Sequence, residues 1–67
     1  MKNDVVRLRK ERGMTQDELG KILQVSRQTI VAIETGRFNP SLPLALRLAR
    51  EFSKTVEEIF FLDEGSL

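Results

Sequence analysis

The chain has 67 residues, neither cysteine nor histidine, and a formal net charge of +1. This length suits one small domain around a single core, and without disulfides its stability has to come from helix packing, helped by oligomerisation. No apolar run reaches the roughly 18 residues of a membrane span, and the N-terminus lacks the apolar stretch of a signal peptide, so we expect a cytoplasmic protein with no membrane partner.

The positive charges are unevenly distributed along the chain. Residues 1–40 contain 8 lysines and arginines against 5 acidic residues, whereas the remainder contains 3 against 5. This excess is a weak indication of a surface that faces phosphates, and ordinary scatter of surface charge explains it better unless other features agree.

The first predicted helix covers roughly residues 4 to 12. Val5 and Leu8 lie three residues apart on one face. Asn3 is suited to cap the N-terminus of this helix, and Gly13 is suited to end it in the left-handed conformation.

The start of the second predicted helix is the most clearly marked in the chain. Thr15 and Glu18 have the spacing of a capping box, and Met14 and Leu19 occupy the positions of a hydrophobic staple. Gly20 lies inside this helix, where glycine costs roughly 1 kcal/mol relative to alanine, so it predicts a close helix contact. The predicted apolar face consists of Leu19, Ile22 and Leu23.

The third predicted helix begins almost immediately after the second. Ser26 is its predicted cap, Val25 and Ile30 occupy staple positions, and Gly36 ends it. Because the turn is so short, the two helices must cross at a wide angle, which is the helix-turn-helix arrangement, with Gly20 at the crossing.

Two further helices are predicted after an irregular link. Ser41 caps the fourth, which tolerates Pro43 in its first turn, and Thr55 with Glu58 caps the fifth. No strand pattern is evident, so the predicted fold class is all-α, with five helices in a single domain over residues 1–67. The predicted apolar positions are Leu42, Ala45, Leu48, Ala49 and Phe52 in the fourth helix and Val56, Ile59 and Phe60 in the fifth.

The side of the third helix opposite Ile30 and Ile33 carries few of the long charged residues typical of a solvated face. At about 100° per residue, this side consists of Arg27, Gln28, Val31, Ala32 and Thr35. Small or apolar side chains among hydrogen-bonding ones suit the DNA major groove, although each residue by itself also fits a plain solvated face. Gln28 fits a paired contact to adenine, and Arg27 fits either a paired contact to guanine or a phosphate contact.

The segment TQDELGKILQVSRQTIVAIETGRFNPSL, with the LRKERGMTQDEL entry and the TVEEIF close, resembles the Cro/CI-type (XRE-like) helix-turn-helix family of transcriptional regulators. Short stand-alone repressors, including the cytolysin repressor type, are the most similar. The resemblance covers nearly the whole chain. It implies a five-helix lambda-repressor-like domain in which helices 2 and 3 form the helix-turn-helix.

The resemblance also implies roles for individual residues. The base-facing positions are Arg27, Gln28 and Ala32, with Val31 at their flank. The implied contacts to DNA phosphates are Gln16, Ser26, Arg37 and Asn39, and Thr29 is implied to lie near the DNA backbone or a base. A side-chain amide beside the free N–H groups of a helix start independently favours Gln16 as a phosphate contact. The family pattern further suggests that Arg9 pairs with Glu34, the alternative being two unrelated surface charges.

One short helix reads too few base pairs to find a site in a genome, so we expect a homodimer on a palindromic double-stranded DNA operator. Phe61 and Leu62 are candidates for the dimer interface, with Phe60 divided between core and contact. A frayed helix end or additional core are the alternatives. Repression by occlusion of a promoter is the simplest mode of action, and no small-molecule effector is expected.

Other classes of function find less support in the residues. Without histidine or cysteine, and with no base near Ser26 or Thr29, we predict no enzyme and no cofactor. Acidic residues near the C-terminus suit solvated charges better than a metal site, so none is assigned; they are Glu57, Glu58, Asp63 and Glu64. The main alternative is a protein-binding module or antitoxin-like subunit that uses the same scaffold.

Overall fold

The computed structural model describes residues 1–62, which form five helices and a two-stranded sheet. Asp63 and Glu64 lie outside these described residues. The elements in chain order are β1 (Lys2–Asn3), α1 (Val5–Glu11), α2 (Gln16–Leu23), α3 (Arg27–Glu34), α4 (Leu42–Phe52), α5 (Val56–Ile59) and β2 (Phe60–Phe61). The predicted all-α helix-turn-helix architecture is confirmed. No helix within residues 1–62 is both long and apolar enough to cross a membrane.

Two reciprocal capping boxes begin α2 and α5 as predicted. The Thr15 hydroxyl accepts from the Glu18 N–H at 3.0 Å, and the Glu18 carboxylate accepts from the Thr15 N–H at 2.8 Å. Thr55 and Glu58 make the same two bonds at 3.2 and 2.8 Å. Because each box pairs two backbone N–H groups that a helix start leaves open, both helices begin where the local sequence dictates.

The start of α1 differs from its prediction. Asp4, not Asn3, occupies the N-cap position, and its side chain makes no capping bond. Asn3 lies one residue earlier in β1, yet its Oδ1 still accepts from the Val5 N–H at 3.1 Å. Asn3 therefore supplies the capping acceptor from outside the helix.

The sheet was not predicted. β1 and β2 pair antiparallel, with Lys2 opposite Phe61 and Asn3 opposite Phe60. The pairing continues by one residue beyond the strands, where the Asp4 N–H donates to the Ile59 carbonyl at 2.9 Å. Strands of two residues are too short for alternation to be visible in the sequence, so only the meeting of the two ends of the fold creates them.

The core differs from the predicted apolar faces at three positions. Ile22 is 49% exposed and Leu42 is 68% exposed, whereas Leu44 is buried. Leu42 is the first residue of α4, so its side chain points back beyond the end of the core, while Leu44 lies one turn before buried Leu48. Phe60 is 8% exposed and belongs to the core, and its remaining surface lines a groove next to Leu62. The buried apolar residues are Val5, Leu8, Leu19, Leu23, Ile30, Ile33, Leu44, Ala45, Leu48, Ala49, Phe52, Ile59 and Phe60.

The turn between α2 and α3 packs directly on Gly20. A Cβ atom at this position would lie 2.8 Å from the carbonyl oxygen of Val25, closer than real Cβ atoms approach. The Val25 N–H donates to the Gly20 carbonyl at 2.9 Å, and Gln24 turns the chain with a φ of 62°. The predicted close contact is therefore present, and its partner is the backbone of the turn.

Candidate nucleic-acid interface

Helix α3 is anchored on one side and open on the other. Ile30 and Ile33 are 0% and 1% exposed. On the opposite side, Arg27, Gln28 and Thr35 are exposed, and Val31 and Ala32 are half-buried. The three polar side chains of this strip are therefore accessible to a partner, and its apolar side chains are partly accessible.

The hydroxyl groups at the start of α3 bind one another. The Ser26 Oγ accepts from the Thr29 N–H at 3.2 Å and lies 3.1 Å from the Thr29 Oγ1. Ser26 is exposed and Thr29 is half-buried. This arrangement caps the helix and places two hydroxyl groups beside its first N–H groups, where an anion is favoured.

The chain turns sharply after α3. The N–H groups of Arg37 and Phe38 both donate to the Ala32 carbonyl, at 3.0 and 3.1 Å. The side chains of Arg37 and Asn39 are exposed on either side of Phe38, which is 46% exposed. Phe38 was not predicted to lie on this surface, because one aromatic residue in a short link carries no periodic signal. The Thr35 hydroxyl is less available as a donor to a partner, since it donates back to the Val31 carbonyl at 3.0 Å.

The structure brings Arg9 and Glu34 together. The Arg9 Nε donates to the Glu34 Oε2 at 2.6 Å, and its Nη2 donates to the Glu34 Oε1 at 3.2 Å. The two side chains are 10% and 3% exposed. The Arg9 Nη1 also donates to the Met14 carbonyl at 2.8 Å. This bidentate ion pair joins α1 to the last residue of α3, which limits how far the open strip can move.

Gln16 extends this pair to the surface. Its Nε2 donates to the Glu34 Oε1 at 2.9 Å, and its Oε1 accepts from the Arg27 Nη2 at 3.0 Å. A continuous chain of polar contacts therefore leads from buried Arg9 through Glu34 and Gln16 to exposed Arg27. All four residues were predicted to belong to the site, but only the pairing of Arg9 with Glu34 was predicted, and neither contact of Gln16 was.

The first three residues of the chain secure the C-terminal end of α3 and the turn after it. The Asn3 Nδ2 donates to the Ile33 carbonyl at 2.8 Å, and the amino group of Met1 donates to the Gly36 carbonyl at 3.2 Å. The Ile33 carbonyl also accepts from the Gly36 N–H at 3.0 Å, so the Asn3 amide adds a second bond at the helix end, where carbonyl groups lack partners within the helix. Asn3 therefore also supports the site, although the sequence predicted it only as a helix cap.

Charged side chains of the N-terminal half differ in their partners. Arg7 is bonded to Asp4 at 2.8 Å and to Glu11 at 3.0 Å, and these hydrogen bonds raise the pKa of the Arg7 guanidinium. Lys21 lies 3.3 Å from Asp17. Arg27 instead binds the neutral amide of Gln16, so its positive charge is not offset by that contact. The open strip therefore presents positive charge at its leading edge.

A second surface lies at the C-terminal side of the fold. Phe61 and Leu62 are 39% and 68% exposed, as expected of the predicted interface residues. An apolar groove of about 350 Å³ adjoins them, which we call the C-terminal groove. Its lining residues are Met1, Pro40, Leu42, Ala45, Val56, Glu57, Phe60 and Leu62.

Comparison with known proteins finds a matching family model and similar sequences. A family model described as "Helix-turn-helix" matches residues 5–59. An uncharacterized HTH-type transcriptional regulator, YgzD of Bacillus subtilis, is 47% identical over 64 residues, covering 96% of this chain and 97% of its own length. One from Methanothermobacter thermautotrophicus is 54% identical over 57 residues, covering 84% and 83%. Another from Archaeoglobus fulgidus is 43% identical over 67 residues, covering 100% and 96%.

Proposed function

This chain belongs to the XRE-like helix-turn-helix family, and on that premise we propose that it regulates transcription by binding double-stranded DNA with α3 in the major groove. The observation that carries the proposal is the open strip of α3 on a helix secured at both ends. Arg9 and Asn3 bind its C-terminal part, and Ser26 caps its start. A helix that contacts base edges has to keep a fixed position, since a small displacement breaks short directional hydrogen bonds.

The chemistry of the strip supports base recognition. Gln28 is exposed at the start of α3, where an amide can make the paired contact to adenine N6 and N7. Ala32, one turn further on, is short enough for the helix to enter the groove deeply. Val31 lies at the flank, where its methyl groups suit the methyl group of thymine. Arg27 at the leading edge suits guanine.

The surroundings of the strip support phosphate contacts. Gln16, Ser26 and Thr29 lie at the starts of α2 and α3, where open N–H groups favour an anion. Arg37 and Asn39 are exposed in the link after α3, at the opposite end of the strip. Phosphate contacts at the two ends of a helix can position it across a groove. In protein–DNA complexes, contacts to phosphates fix the register and orientation of the protein on the duplex.

A homodimer on a palindromic operator is the proposed assembly. Its proposed interface consists of Phe61 and Leu62 with the adjoining C-terminal groove. The exposed apolar side chains support this, because a dimer removes them from water and doubles the number of base pairs read. We further propose that the protein represses, since occupation of a promoter requires no additional surface and no small-molecule effector.

The test is selection of bound sequences from a random pool of double-stranded DNA. We expect an enriched palindrome with half-site centres one helical turn apart, roughly 34 Å. Gln28→Ala should abolish the preference at one position of each half-site while non-specific binding, which falls steeply with salt, is retained. Lys54→Ala is a matched control, because Lys54 is exposed beyond the end of α4 and outside the proposed contacts. A pool with no enriched sequence would contradict the proposal.

The C-terminal groove favours one alternative, a protein-binding module that uses the helical scaffold to hold a partner. That function predicts binding that is insensitive to Gln28→Ala and only weakly dependent on salt. Measuring DNA affinity at several salt concentrations for the protein and for Gln28→Ala distinguishes the two functions.

A further inference from the structure

Residues 1–3, which we call the N-terminal segment, touch both candidate surfaces of the protein. Met1 lines the C-terminal groove and packs against the core. Its amino group donates to the Gly36 carbonyl at 3.2 Å, in the turn that follows α3. Asn3 donates to the Ile33 carbonyl at 2.8 Å, in the last turn of α3. The segment therefore lies between the proposed dimer surface and the end of the helix that carries the open strip.

The N-terminal segment fits closely on the turn after α3. A Cβ atom at Gly36 would lie 3.3 Å from the Met1 carbonyl oxygen, which is tighter than most contacts of real Cβ atoms. Gly36 also has a φ of 77°, a conformation that glycine adopts without strain. The absence of a side chain at residue 36 therefore leaves room for the segment against the backbone of the turn.

The bonds of Asn3 make docking of the segment one event. Its Nδ2 also lies within bonding distance of the Met1 carbonyl, at 3.3 Å, and its Oδ1 accepts from the Val5 N–H at 3.1 Å. One side chain thus holds Met1, the end of α3 and the start of α1 together. The sheet that supports the segment has two strands of two residues, and two strands alone are at most marginally stable. Docking therefore depends on the contacts with α3 and with the groove.

We propose that docking of the N-terminal segment is a step shared by dimerisation and DNA binding, so that each strengthens the other. The proposal rests on the proposed function. A second copy seated in the C-terminal groove contacts Met1 only while the segment is docked. DNA requires the end of α3 and the link after it in the position that the docked segment fixes. Two partners that select the same state of a protein show positive and reciprocal coupling.

The coupling is largest when docking is incomplete. The apparent affinity for a partner falls with the fraction of molecules in the competent state, so a fully docked protein gains nothing from a second partner. A weakened segment instead makes the binding of each partner depend on the other. Asn3 is the position at which to weaken it, because Asn3 does not line the C-terminal groove and lies outside the open strip.

The test substitutes Asn3 in a protein that can dimerise and in one that cannot. Asn3→Asp keeps an acceptor for the Val5 N–H but replaces the amide donor by a carboxylate, which the neighbouring carbonyl groups repel. Leu62→Glu supplies the monomeric background. Lys2→Ala is the matched control, because Lys2 is exposed in the same strand. Fluorescence anisotropy measures affinity for a half-site duplex, and sedimentation equilibrium measures dimerisation with and without that duplex.

We expect Asn3→Asp to weaken both dimerisation and half-site binding, whereas Lys2→Ala should leave both unchanged. The loss of half-site affinity should be larger in the Leu62→Glu monomer than in the dimer by at least about twofold, the lower end of coupling between interacting sites. The reason is that the second copy restores docking. Excess half-site duplex should tighten dimerisation of Asn3→Asp by the same factor by which dimerisation tightens its half-site binding. Thermal unfolding verifies the fold, and Asn3→Ser, whose hydroxyl retains an acceptor, replaces Asn3→Asp if that variant does not fold.

Three outcomes would overturn the coupling alone. One is an equal loss of half-site affinity in the monomer and in the dimer. Another is a loss of DNA affinity with unchanged dimerisation, which would mean that the segment serves α3 only. The third is weaker dimerisation with unchanged half-site binding, which would confine the segment to the groove. A random pool with no enriched sequence would reject the proposed function, and a monomeric wild-type protein would reject the proposed dimer, each with the coupling, so the failures are distinguishable.

Discussion

The Nε of Arg9 lies 2.6 Å from the Oε2 of Glu34, and this contact joins the first helix to the last residue of the helix that faces outward. Both side chains are nearly inaccessible to water, so removal of one leaves an uncompensated buried charge. We expect Arg9→Met to lower the free energy of unfolding by about 3 kcal/mol. Urea titration measures the loss.

The double variant with Glu34→Gln completes a thermodynamic cycle. Its loss should be smaller than the sum of the two single losses by roughly 1 kcal/mol or more, since the pair acts as a unit. Arg7→Met is the matched control, because Arg7 also makes two ion pairs but lies on the surface, and it should change stability little. Additive losses would show that Arg9 and Glu34 do not interact in solution.

Asn3 is predicted to secure the end of α3. Asn3→Ala removes the donor to the Ile33 carbonyl and the acceptor for the Val5 N–H, which should cost about 1 to 3 kcal/mol. Hydrogen exchange should become faster in the last turn of α3 and the first turn of α1. Lys2→Ala in the same strand is the control, since Lys2 is exposed. Equal exchange in both variants would contradict this role.

Acid should weaken the starts of α2 and α5. The backbone N–H groups of Thr15 and Thr55 donate to the carboxylates of Glu18 and Glu58, and these bonds lower the pKa of each carboxyl below its ordinary value. A carboxyl with a lowered folded-state pKa stabilises the protein above its unfolded pKa. That contribution disappears as the pH falls through the folded value. We therefore expect Tm to decline as the pH falls below about 4.5.

Glu18→Gln and Glu58→Gln test the origin of that decline. Glutamine retains an acceptor for the threonine N–H but does not titrate, so the double variant should lose less stability between pH 6 and pH 3. Glu57→Gln is the control, because Glu57 is exposed beside Glu58 and takes no part in the capping box. Identical pH profiles for all variants would exclude the capping boxes as the cause.

The proposed dimer predicts a concentration-dependent assembly at the C-terminal surface. Leu62→Glu places a charge on an exposed apolar position beside the groove, so it should shift sedimentation equilibrium from dimer to monomer. Affinity for the full operator should then fall toward that for a half-site. Leu46→Glu is the control, because Leu46 is 52% exposed on α4 but does not line the groove. A monomeric wild-type protein at micromolar concentration would reject the dimer.

Periodicity predicted the helices well and their buried faces less well. Val5, Leu8, Ile30 and Ile33 are buried as their spacing indicates. Ile22 has suitable spacing too, yet it borders an open groove opposite Arg47 and Arg50 of α4. Spacing identifies a side of a helix, whereas burial also requires a neighbouring element to cover it.

The candidate site was predictable as a set of residues and not as a connected structure. The short turn, the strip of α3 and the position of Gln16 are visible in the chain, because each involves residues within one or two turns. The contact of Gln16 with Arg27 spans 11 residues, and that with Glu34 spans 18. The short turn predicts only that the two helices cross at a wide angle, and it does not predict which side chains meet across that crossing.

The sequence by itself determined where four of the five helices begin, since each cap is a bond between residues at most a few positions apart. Thr15, Ser26, Ser41 and Thr55 all cap as predicted. Only the tertiary structure decided the pairing of β1 with β2, the burial of Leu44 in place of Leu42, and the polar chain from Arg9 to Arg27. These features bring distant segments together, and their free energy exists only after packing has brought those segments into contact.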